Sequence, residues 1–113
     1  MDDKLQIITK MKRTIEYIDK SLDNYPHRHI ELKNKIRNSL DDMLEYCYIA
    51  NQGYEKEMYQ KLSLVKIEMV DYYLKTSYKK ELISKKKYES ISKHLLEINK
   101  MICGWIKNNE ESK

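Results

Sequence analysis

Apolar residues recur every three or four positions through most of this chain, and the breaks in that rhythm divide it into four segments. In the first, Leu5, Ile8, Met11, Ile15, Ile18 and Leu22 mark one face of a helix over about 3–24, with Asp2 and Asp3 where carboxylates favour a helix N-terminus. Asn24-Tyr25-Pro26 stops it, because proline restricts the residue before it and cannot donate a backbone hydrogen bond. A second stripe of Leu32, Ile36, Leu40, Met43, Leu44, Cys47 and Ala50 predicts a helix over 27–51, closed at Gly53 by a left-handed turn. Met58, Leu62, Val65, Met69, Tyr72 and Tyr73 predict the core face of a third helix over 54–80. In the fourth, over 84–108, Ser84 is placed as N-cap, Ile83 and Tyr88 fit a hydrophobic staple, and Ile91, Leu95, Ile98, Ile102 and Trp105 share one face.

Short connections make successive helices antiparallel, so residues 1–113 are expected to form one all-α domain, an antiparallel up-down-up-down four-helix bundle. One proline and two glycines leave almost no means of building hairpins or phosphate loops. The apolar arc is wide in places. Tyr17, Tyr46, Tyr48 and Tyr59, with Ile7, Ile49 and Ile106, fall partly off the main stripes, which fits either a further contact surface with self-association or a broad core containing partly exposed tyrosines.

Charge adds an asymmetry. Residues 1–56 hold ten basic and ten acidic side chains, whereas residues 75–107 hold nine basic against three acidic, so most of the net +4 sits in the second half. Lys79, Lys80, Lys85, Lys86 and Lys87 bracket the third turn, opposed there by Glu81 alone and flanked by Tyr78 and Tyr88. In an alternating bundle that turn shares a pole with His27, Arg28 and His29. Lys10 and Arg13 extend the basic surface along the side. Such a pole suits RNA or DNA, with phosphates held by ammonium groups and bases stacked on tyrosine.

Catalytic and metal chemistry find no support. No phosphate loop, dinucleotide fingerprint or nucleophile elbow occurs, and the inward Glu and Glu-x-x-His pattern of di-iron bundles is missing. His27 and His29 flank a guanidinium that opposes a cation, with no further ligand at metal spacing. The expectation is a chain with no enzyme activity, no cofactor and no metal. No stretch approaches a membrane span, and Cys47 and Cys103 on apolar faces fit a reduced cytoplasmic protein.

Tyr25-Pro26 with its basic turn, Leu40 through Ala50 leading to Asn51, Ile83-Ser84 with Tyr88, and Met101-Ile102-Cys103-Gly104-Trp105-Ile106 occur in that order. Together they resemble the accessory variability determinant (Avd) proteins of diversity-generating retroelements. The related four-helix proteins encoded in 23S ribosomal RNA intervening sequences share that architecture. The resemblance implies a homopentamer without catalysis that binds template RNA and the retroelement's reverse transcriptase and supports mutagenic retrohoming. The intervening-sequence branch implies a structural or protein-interaction bundle with no retroelement role. Cys103 departs from the small residue, usually glycine, expected there, and +4 is modest for a strongly basic family.

Overall fold

The structure, a computed structural model, describes the backbone of residues 3–111 and the side chains of residues 6–109. Four helices follow one another: α1 (Asp3–Leu22), α2 (Ile30–Asn51), α3 (Lys56–Lys79) and α4 (Lys85–Glu111), with a 3-10 turn at His27–His29 before α2 and no strand among the described residues. The chain is an all-α four-helix bundle. Each helix packs on two neighbours in the cyclic order α1–α2–α3–α4, and the α2–α3 interface is the most extensive.

Contacts across every interface run with opposed numbering, which fixes the antiparallel sense. Lys66 meets Asp42 and Tyr59 meets Tyr46 between α3 and α2, while Lys10 meets Glu97 and Tyr17 meets Ser90 between α1 and α4. The bundle is elongated, about 49 Å long and 23 by 19 Å across. None of its described helices is long and apolar enough to cross a membrane.

The breakers act where their chemistry places them. Pro26 sits extended at φ −60° and ψ 151°, Tyr25 before it is buried, and the 3-10 turn begins at His27. Gly53 takes φ +88° and ends α2. Ser84 Oγ accepts from the Lys87 backbone N–H at 3.0 Å, capping the first turn of α4. The third turn also uses Glu81 at φ +63°, a left-handed position usually held by glycine. There the Glu81 N–H donates to the Tyr78 carbonyl at 2.9 Å and the Leu82 N–H to the Ser77 carbonyl at 2.9 Å.

Ile8, Met11, Ile18 and Leu22 of α1, Ile36, Leu40, Met43, Cys47 and Ala50 of α2, and Ile91, Leu95, Ile98, Ile102 and Trp105 of α4 are buried, as their periodicity predicts. The Leu5 side chain and the carboxylates of Asp2 and Asp3 lie outside the described residues. Ile7, expected off the stripe, is buried at 1% exposure, because the core reaches both flanks of α1 here.

The face expected for α3 is corrected. Its buried positions are Gln60, Ser63, Ile67, Val70, Leu74 and Ser77, whereas Met58, Leu62, Val65 and Tyr72 are exposed. Small serines win because they let α3 lie close against α2. Ser63 Oγ donates to the Met43 carbonyl at 2.9 Å and lies 3.4 Å from Cys47 Sγ, while Ser77 Oγ donates to the Tyr73 carbonyl of its own helix. A buried hydroxyl satisfied in this way costs little and permits closer packing than Leu would. Cys103 is a second correction: it is exposed, with Sγ 3.6 Å from Asn99 Oδ1, while Cys47 is buried and burial pushes its thiol up.

Candidate polyanion-binding surface

Alternation of short turns brings the 23–29 and 80–84 connections to one end of the bundle, so Arg28, Lys79, Lys80, Lys85, Lys86 and Lys87 share a pole. Lys20, in the last turn of α1, joins them: with Tyr17, Asn24, Ser84 and Lys87 it lines a shallow cleft between the two connections. Lys79, Lys80 and Lys86 are exposed and have no ion-pair partner among the described residues. Arg28 is exposed, with its Nε–H donating to His29 Nε2 at 3.3 Å. Lys85 reaches Glu89 at 3.9 Å, a loose surface pair worth little.

Lys87 is held differently. Its ammonium stands 4.5 Å above the Tyr17 ring and 3.4 Å from the Tyr17 hydroxyl, so cation–π attraction orients it against α1. The Tyr17 phenol is pulled below its ordinary range, first by its hydrogen bond with Ser90 and then by Lys87. Tyr78 and Tyr88 stack on each other, with centroids 6.0 Å apart and planes 9° apart. The Tyr88 hydroxyl donates to Asp71 at 3.2 and 3.3 Å. Tyr88 therefore closes the third turn rather than standing ready as a free stacking platform.

Lys10 and Arg13 lie apart from the pole. Lys10 is twelve residues before the end of α1, about 18 Å along the helix axis. Its ammonium is committed, 3.0 Å from His94 Nδ1 and 3.1 Å from Glu97. The Glu97 carboxyl is held below the usual carboxylate range, chiefly by its hydrogen bond to Lys10. Arg13 is exposed and has no partner among the described residues.

A second basic feature is clear only on the folded helix. Lys86, Lys93, Lys100 and Lys107 are spaced by seven, are all exposed, and have no ion-pair partner among the described residues. Seven residues complete nearly two turns, so the four ammonium groups form one line on the solvent face of α4, with steps of about 10 Å and a length of about 32 Å. That step matches the Debye length of about 10 Å at 0.1 M salt, so neighbouring potentials overlap. The two described carboxylates of α4 pair with lysines outside the line, Glu89 with Lys85 and Glu97 with Lys10, and Glu97 feels the charge of Lys100 more weakly. The repeat of lysine at every seventh position was the signal for this line in the sequence.

Among the described residues, no three His, Cys, Asp or Glu side chains converge as a metal site would require. No protein-family model matches the chain, and no curated protein matches it. Among solved structures, it is similar to a protein of unknown function from the S23 ribosomal protein family of Bacteroides thetaiotaomicron. The two share 19% identity over 94% of this chain and 99% of that one, with a TM-score of 0.84. At that identity the likeness shows the fold.

Proposed function

We propose that this chain is a non-catalytic binding bundle whose ligand is RNA, held electrostatically along α4 and at the adjoining pole. The observation that carries the reading is the exposed lysine line of α4, which has no ion pair among the described residues and is continuous at Lys86 with the lysines of the third turn. A line of point charges on a rigid helix neutralises phosphates without reading bases, so sequence preference is weak and affinity falls with salt. The test is a salt series of single-stranded RNA binding with Lys86, Lys93, Lys100 and Lys107 replaced by Gln. Each lysine that contacts phosphate should reduce the magnitude of the log–log salt slope by about 0.7. An unchanged slope would remove RNA from this face.

The biological setting has two readings. The fold-level likeness to an S23-family protein favours a structural or protein-interaction bundle of the 23S ribosomal RNA intervening-sequence type. In that setting an acidic protein takes the place of RNA, and single-stranded RNA fails to bind even at low salt. The narrower reading is a retroelement accessory protein that binds template RNA and the reverse transcriptase as a homopentamer. It is supported by the residues that resemble those proteins and by the same lysine surface. Co-purification with a retroelement reverse transcriptase would favour the narrower role.

A further inference from the structure

Lys20 of α1 and Lys87 of α4 line one cleft of about 340 Å³ between the two connections at the basic pole, and no carboxylate lines it. Lys20 is exposed and has no ion-pair partner among the described residues. Asp19 and Asp23, the carboxylates nearest to it in the sequence, are both held by Arg37, at 2.8 and 3.5 Å. On the other wall, the first turn of α4 contains Lys85, Lys86 and Lys87 and no acidic residue. Cations are disfavoured at the positive end of a helix, and a local rule broken in an otherwise consistent sequence points to function. An anion seated in the cleft relieves both repulsions.

The same cleft supplies hydrogen-bond donors. Ser84 Oγ accepts from the Lys87 N–H at 3.0 Å, which leaves its own proton free to donate. The Lys87 ammonium is positioned 4.5 Å above the ring of Tyr17, another wall of the cleft. The Asn24 amide and the Lys20 ammonium complete the set.

We propose that this cleft holds the terminal phosphate of an RNA, a phosphate monoester, while the strand behind it follows the lysine line of α4. A monoester presents three oxygens and a charge of about −1.5 to −2, against two free oxygens and a single charge on an internal phosphate. Two ammonium groups with a hydroxyl and an amide beside them match the first better than the second. The volume lies at the low end of small-ligand sites, which admits one phosphate and its sugar. A strand passing through would have to enter and leave the same cleft. The lysine line also ends there, since Lys86 is followed directly by Lys87. The site rests on RNA being the ligand of the α4 line.

The test is isothermal titration calorimetry of the full chain at low salt with single-stranded RNA hexamers. One carries a 5′-phosphate, one a 3′-phosphate and one hydroxyls at both ends. At least one phosphorylated hexamer should bind about tenfold more tightly than the hydroxyl-ended one, and which end does so gives the strand direction. A hydroxyl-ended RNA about two nucleotides longer matches the added charge and should gain much less. Lys20→Gln should remove most of the preference, whereas Lys93→Gln should lower both affinities and keep their ratio. Circular dichroism confirms that each variant is folded. Equal binding of all three hexamers would overturn the cleft assignment and leave RNA on α4. So would a gain matched by the longer RNA, or a preference that survives Lys20→Gln. If no RNA binds at all, the α4 reading fails and the terminal-phosphate site falls with it.

Discussion

Valine occurs twice in this chain, at positions 65 and 70 of the same helix, and the pair isolates which face of α3 holds the bundle together. Val70 is fully buried, whereas Val65 is 52% exposed. Truncating either to Ala removes two methyl groups, so chemistry is constant and only burial differs. At Val70 the lost transfer energy is about 1.6 kcal/mol, at roughly 0.8 kcal/mol for each buried carbon, and the cavity raises the loss to about 2–3 kcal/mol. At Val65 at most about half the transfer term is at stake. The better helix propensity of Ala returns about 0.5 kcal/mol at either position, leaving a loss of about 1.5–2.5 kcal/mol at Val70 and a net change near zero at Val65. With a urea dependence of about 1–3 kcal/mol per molar, Val70→Ala should lower the unfolding midpoint by about 1 M or more, and Val65→Ala should hardly move it. The assay is urea unfolding followed by far-ultraviolet circular dichroism, at concentrations dilute enough that self-association contributes nothing. Equal losses, or a larger loss at Val65, would refute the placement of Ser63, Val70 and Ser77 against the core.

Two further perturbations test the third turn and its surroundings. Glu81 holds φ +63°, a region that costs a side-chain-bearing residue about 1 kcal/mol. Glu81→Gly should therefore raise the melting temperature by about 2–6 °C while Glu81→Ala should not, and a thermal scan in which the two behave alike would remove the strain argument. The Tyr88 phenol is pushed above its ordinary range, first by burial and then by the charge of Asp71, which also accepts its hydrogen bond. The folded state holds that proton more tightly than the unfolded chain. The stabilisation is therefore complete below the unfolded tyrosine range near about 10 and is lost as pH rises through the higher folded value. Difference absorbance should show a late-ionising phenolate that Tyr88→Phe removes and Asp71→Asn shifts downward. An alkaline titration unaltered by Tyr88→Phe would exclude this assignment.

The stops of this fold were legible because each rests on local chemistry. Pro26 fixes its own φ, Gly53 accepts a left-handed turn, and the Ser84 hydroxyl answers an orphan N–H three residues on. The α3 face was not legible, because that helix carries two stripes at helical spacing. Counting apolar residues prefers Met58, Leu62, Val65, Met69 and Tyr72 over Gln60, Ser63, Ile67, Val70, Leu74 and Ser77. The choice between them is made across the interface, where Met43 offers a carbonyl to Ser63 and α2 demands close approach. No property of α3 alone encodes that neighbour. For the basic surface, residue type was legible and availability was not. Lys10 and Lys86 are equal in the sequence, yet one is bound to Glu97 and His94 while the other faces water without an ion-pair partner among the described residues. Only packing of α1 on α4 distinguishes them.

Binding through the lysine line of α4 should weaken with every increment of salt, because each phosphate contact releases counterions. The apolar core that holds the bundle together is far less sensitive to the same change. Replacing Lys86, Lys93, Lys100 and Lys107 by Gln should therefore flatten the salt dependence of RNA binding while leaving the urea midpoint unmoved, a contrast that partial unfolding could not produce.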